Sequence, residues 1–84
     1  MKLLKFGASW CASCKSLSQV LETMDISPVT VVQDIDIDKN VELTKQYAIK
    51  SVPTMILIKD EAEVSRMTGN AGPARVRQFI DSVK

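Results

Sequence analysis

Trp10-Cys11-Ala12-Ser13-Cys14-Lys15 lies between two stretches of different periodicity, and that junction decides the architecture. Upstream, Lys2 to Ala8 alternates Leu4, Phe6 and Ala8 against Leu3, Lys5 and Gly7, the pattern of a strand buried on at least one face. Downstream, Leu17, Val20, Leu21 and Met24 recur at helical spacing, and Pro28 sets a limit to that helix. The cysteines are therefore expected where a strand turns into a helix.

That placement gives the pair a chemical reading. Cysteines separated by two residues at a helix start close a disulfide, and the backbone N–H groups and dipole there favour a thiolate on Cys11. A thiolate attacks another disulfide to give a mixed disulfide, which Cys14 is placed to resolve. A zinc site needs further cysteine or histidine ligands, and the chain has two cysteines and no histidine. The plainer alternative is a pair of small residues buried at a helix start.

Farther along, Val29 to Ile37 is rich in β-branched residues and reads as a second strand. Asp38 or Asn40 is then the candidate cap of a short helix carrying Leu43 and Tyr47. Thr54 to Ile58 has the apolar run of a central strand covered on both faces. Glu63 to Thr68, after the polar Asp60-Glu61-Ala62 turn, reads as its exposed hairpin partner. Past Gly69 and Gly72, Pro73 suits the first turn of a last helix whose Val76, Phe79, Ile80 and Val83 form one stripe. The order is βαβαββα, an α/β class with a four-stranded mixed sheet. No repeat or linker divides residues 1–84, so one domain is expected.

Composition narrows the function. At 84 residues the chain is near the lower end for a core without staples. Eleven basic and ten acidic side chains leave a formal charge of +1, too little to gather nucleic acid or an anionic membrane. The longest apolar run, around Met55 to Ile58, is too short to span a bilayer, and the first residues lack the order of a signal peptide. The expectation is a cytoplasmic protein. There glutathione opposes disulfides and the loop closed by Cys11 and Cys14 is tiny, so a transient functional disulfide is expected rather than a staple.

With these residues in order the sequence resembles the thioredoxin family along essentially its whole length. The landmarks are Trp10-Cys11-Ala12-Ser13-Cys14-Lys15, similar to the family's W-C-x-x-C-K; Asp36-Ile37-Asp38 at the end of a core strand; Val52-Pro53-Thr54; and Gly69 before the last helix. The family's extra strand and helix at the front are expected to be absent. The resemblance implies reduction of disulfides in partner proteins by Cys11 as nucleophile and Cys14 as resolving thiol, in a monomer that binds no cofactor. It also implies a cis Val52-Pro53 bond beside the disulfide, a substrate-pairing backbone at Val52, a rim shaped by Trp10, and close peptide approach at Gly69. The chain has no dinucleotide fingerprint, so electrons must come from outside, from a thioredoxin reductase or glutathione. The alternatives are a glutaredoxin-like, glutathione-coupled redoxin and a non-enzymatic partner-binding module on the same fold.

Two features depart from the family pattern. Ala12-Ser13 replaces the usual Gly-Pro between the cysteines, giving that turn an extra N–H and a hydroxyl. Lys5 stands where the family has a buried acid, and Asp34 where it has the lysine facing that acid. The charges are exchanged, and the pair is expected to tune the thiols from beneath, unless Lys5 merely snorkels to solvent.

Overall fold

Leu3, Leu4, Lys5 and Phe6 are all buried, so the first strand, β1 (Lys2–Gly7), expected to be buried on at least one face, is covered on both. The computed structural model describes residues 1–83; Lys84, the last residue of the expected domain, lies outside them. α1 (Ala12–Thr23) crosses over to β2 (Val31–Asp36), which pairs with β1 in parallel, and parallel neighbours require such a crossover. After α2 (Val41–Gln46), β3 (Thr54–Lys59) pairs antiparallel with β1, and β4 (Ala62–Thr68) antiparallel with β3. α3 (Pro73–Asp81) completes the βαβαββα order on a sheet arranged β2-β1-β3-β4.

Alternation along β1 and β3 divides the core. Leu3, Met55 and Leu57 meet Leu17 and Leu21 of α1 and Val76, Phe79 and Ile80 of α3. Leu4, Phe6 and Ile56 face the other way, toward Leu43 and Tyr47, with the Phe6 and Tyr47 rings tilted at 5.7 Å between centroids. Lys5 and Gly7 are in phase with Leu3, so they belong to the face that α1 covers. This phase puts a cation and a gap beneath the cysteine helix.

The boundaries differ from the sequence reading where side chains overrule periodicity. α1 stops at Thr23, well before Pro28, and the Asp25 carboxylate accepts the Ser27 N–H at 2.9 Å to form a turn. β2 starts at Val31 rather than Val29: Val29 is buried in the core, whereas Val31 to Asp34 are exposed because β2 is a sheet edge. Asn40 occupies the cap position of α2, but its amide donates to the Asp36 carbonyl at 3.1 Å and caps no N–H. The hairpin turn is Asp60-Glu61, both left-handed at φ 53° and 66°, which matches strand twist and lets β4 begin at Ala62.

The register of β4 shifts between Leu57, opposite Ser65, and Ile58, opposite Glu63, leaving a β-bulge at Val64. Arg66 grips Glu63 with two hydrogen bonds, Nε to Oε2 at 2.6 Å and Nη2 to Oε1 at 2.7 Å. These bonds hold the Glu63 carboxyl below its ordinary value, against an opposing effect of burial and with a lesser contribution from the Arg66 charge. A lowered carboxyl value adds stability above the unfolded value, and that stability is lost as pH falls through the folded one. Glu63→Gln is expected to lower stability at pH 7 by about 0.2–1 kcal/mol. In urea titrations the difference should fade as the carboxyl protonates; a gap that persists in acid would mean that the fork does not act through charge.

Candidate active site

The sheet brings four loops to one end. β1 ends at Gly7 opposite Asp36, the last residue of β2; Thr54 at the start of β3 lies opposite Phe6; and Thr68 at the end of β4 lies opposite Thr54. The cysteine motif, Asp36-Ile37-Asp38, Val52-Pro53 and Gly69 therefore emerge together. Val52-Pro53 is cis, as the resemblance implied, and Pro53 is buried. The Gly69 N–H donates to the Pro53 carbonyl at 2.8 Å, and its φ of 90° is one that glycine adopts without strain. Trp10 is 67% exposed, and its Nε1–H donates to Asp38 Oδ2 at 2.9 Å, tying the rim to the end of β2.

Cys11 and Cys14 form a disulfide with 5.3 Å between Cα atoms. Cys11 occupies the N-cap of α1 in an extended conformation, and its Sγ accepts the Cys14 N–H at 3.2 Å. A sulfur thus takes the role usually given to a capping oxygen. Ser13 Oγ lies 3.4 Å from the same sulfur, and the first turn of α1 holds no acidic residue to offset the positive helix end.

Beneath the pair, Lys5 and Asp34 are register partners, with Nζ 2.8 Å from Oδ1. Lys5 Nζ also donates to Ser18 Oγ, and Ser18 Oγ donates to the Cys14 carbonyl at 3.1 Å. A continuous polar chain runs from β2 through β1 to the helix turn that bears Cys14. Lys5 does not snorkel: its side chain is 8% exposed, whereas that of Asp34 is 72% exposed. Among the described residues no buried side-chain nitrogen or oxygen lacks a partner. Gly7 lies above this chain, where an added Cβ would meet Cys14 Cβ and Sγ at 3.3 Å.

A family model for thioredoxin matches residues 1–82. The chain belongs to the thioredoxin family. It is 42% identical to a thioredoxin of Chlamydia trachomatis over 80% of this chain and 67% of that protein. It is 37% identical to a thioredoxin of Mycolicibacterium smegmatis, covering 96% of this chain and 77% of the relative. The structure of a mutant thioredoxin from Halobacterium salinarum superposes with a TM-score of 0.85 at 32% identity, covering 96% of this chain and 72% of the other. Membership, fold and the close cysteine pair make the protein a thiol-disulfide oxidoreductase of the thioredoxin type. The family works on disulfide substrates and is regenerated by a reductase.

The site holds three residues that sequence reading passed over. Ser18 follows Cys14 by one helical turn, a spacing that was available as a signal; Asp38 was noticed for its cap and its strand end but not as the partner of Trp10. Gly7 matters through what it lacks, and periodicity counts only side chains that are present.

Burial on one side of the ion pair makes its two halves unequal. Asp34→Ala leaves the Lys5 ammonium buried with Ser18 as its remaining partner, at an expected cost of about 1.5–3 kcal/mol. Lys5→Met leaves a carboxylate that water already reaches, so it should stay within about 1 kcal/mol of the parent protein. Thermal or urea unfolding of both variants and of the double variant checks this: the double change should cost less than Asp34→Ala alone. Equal single costs that simply add would contradict the asymmetry.

Proposed function

We propose that the reduced protein attacks disulfides of partner proteins with Cys11 and resolves the mixed disulfide with Cys14. The observation that carries this assignment is the N-cap position of Cys11, whose sulfur receives the Cys14 N–H at 3.2 Å. Negative charge on Cys11 is met by a hydrogen-bond donor and by the positive end of α1. In the first step the Cys11 thiolate bonds to one substrate sulfur and the other leaves as thiolate. In the second, Cys14 loses its proton, bonds to Cys11 Sγ and expels the remaining substrate sulfur. The product is the disulfide of the present structure.

The substrate face in this reading is Trp10 with Val52, Pro53 and Gly69. Its support is the exposed indole and the shared sheet end at which these loops meet. An extended peptide pairs there with the Val52 backbone, in the manner of an added strand. Lys5 and Asp34 act as tuning residues, the buried cation favouring thiolate above it and the exposed carboxylate exchanging the proton with water. Electrons are returned by a thioredoxin reductase or by glutathione. The protein works as a cytoplasmic monomer, residues 1–84 forming one domain, a reading that suits two cysteines committed to a reversible pair rather than to a staple.

Two measurements test this reading. Cys14→Ser should accumulate a mixed disulfide through Cys11 when offered insulin, seen on non-reducing gels and mapped by mass spectrometry. Protein captured instead by Cys11→Ser would reverse the roles. Lys5→Met should shift the pH profile of Cys11 alkylation upward, by up to about one pH unit, because a neighbouring cation is lost. An unchanged profile would mean that solvent screens Lys5 from the thiols.

A further inference from the structure

One edge of the sheet is open beside a hollow under α1. β2 ends the order β2-β1-β3-β4, so among the described residues only β1 pairs with it, and alternate N–H and C=O groups along its outer side face solvent. Val31 and Val32 on this strand are 51% and 38% exposed. Opposite Leu3 and Lys5, Val32 and Asp34 lie on the face that α1 covers, whereas Val31 and Gln33 lie on the other. Between α1 and the edge is a hollow of about 230 Å³, walled by Leu21, Glu22, Val32 and Asp34 together with Lys5 and Ser18. We propose that this edge takes up an extended segment of a partner protein that alternates basic with apolar side chains, adding it to the four-stranded sheet as a further strand. The proposal goes beyond the oxidoreductase reading, since it uses neither cysteine.

Charge selects the occupant. Glu22 and Asp34 both line the hollow, and both are exposed. Glu22 makes none of the described ion pairs, and Lys5, the cation among the walls, is buried and already held by Asp34 and Ser18. The exposed charge of the hollow is therefore acidic, set against the apolar Leu21 and Val32. A lysine or arginine suits both, because its stem covers apolar surface while its head reaches a carboxylate. A strand lying along β2 places every second side chain on the α1 face, beside Val32 and Asp34, and the others beside Val31. Basic and apolar side chains in alternation match those two faces in turn.

Other occupants match less well. A second copy offering the same edge brings another Asp34 and no cation within the exposed run of residues 31–34. The far edge of a second copy, β4, carries Arg66, but Glu63 holds that guanidinium and the bulge at Val64 interrupts the ladder. An acidic strand sets like charge against Glu22 and Asp34. In strand addition the main-chain hydrogen bonds supply affinity and the alternating side chains supply choice, and this edge offers both.

The test uses the oxidised full chain and fluorescein-labelled peptides of six residues, the length of β2, alternating valine with arginine or valine with glutamate. In anisotropy titrations the arginine peptide should bind more tightly than the glutamate peptide by about tenfold or more. Backbone N-methyl groups on one set of alternate residues should abolish binding, and on the other set leave it intact, because only one side of an added strand pairs with β2. Glu22→Gln should weaken binding by about two- to fivefold, the scale of one exposed ion pair. Val32→Lys, which puts a rival cation in the hollow, should remove it. Asp34→Asn also takes the counter-ion from Lys5, so these two exposed positions carry the test. Amide NMR shifts on titration should centre on β2 and Glu22. No binding of the arginine peptide, equal binding of both peptides, equal effects of the two N-methyl patterns, or shifts centred on Trp10 and Gly69 would each overturn the proposal. So would sedimentation showing that the peptide-free protein forms a dimer that Val32→Lys dissociates, since the edge would then belong to a second copy.

Discussion

A buried ammonium must be given partners, and the way Lys5 receives them organises the working end of this molecule. Its charge lies on the face of β1 that α1 covers, in phase with Leu3 and in the wall of a cavity that Cys14 also lines. Asp34 supplies one oxygen from the neighbouring strand and Ser18 another from the helix, and Ser18 in turn donates to the carbonyl of Cys14. The same contacts that satisfy the cation fix the β1–β2 register and the height of α1 above the sheet. A shift of either element would leave the buried ammonium without one of its partners, at a cost of about 1.5–3 kcal/mol.

The exchange of the two charges relative to the common family arrangement is tolerable for a geometrical reason. Position 5 is interior and position 34 is on a sheet edge, so the buried partner is here the long, flexible one and the exposed partner the short one. A lysine anchored on β1 reaches outward to Asp34 at the edge and sideways to Ser18 on the helix from one nitrogen. The interior charge is positive, where the family resemblance places an acid.

Much of this was legible in the sequence because apolar periodicity and turn chemistry agree. Leu3 through Phe6, Leu17 and Leu21, Met55 to Leu57 and the Val76-Phe79-Ile80 stripe all face the core as their spacing implies. The Lys5–Asp34 pairing was one of two readings the sequence left open, reached by counting from the family landmarks at the strand ends, and the 2.8 Å contact decides between them. What the sequence hid were effects of context. Burial on both faces of β1 depends on α2 covering the second side, and exposure along β2 depends on its being an edge. The linkage through Ser18 needs the helix to pass directly above Lys5, and the gap at Gly7 exists only because a sulfur approaches it.

The two edges of the sheet are guarded differently, and this ties Asp34 to a second duty. β4 carries a bulge and the Glu63–Arg66 fork, both of which discourage another strand from pairing with it. β2 presents Val31 and Val32, exposed and consecutive, and within its exposed run Asp34 is the one charged side chain. That carboxylate is therefore a gatekeeper against edge-to-edge assembly as well as the counter-ion of Lys5. A neutral residue at position 34 would remove both protections together.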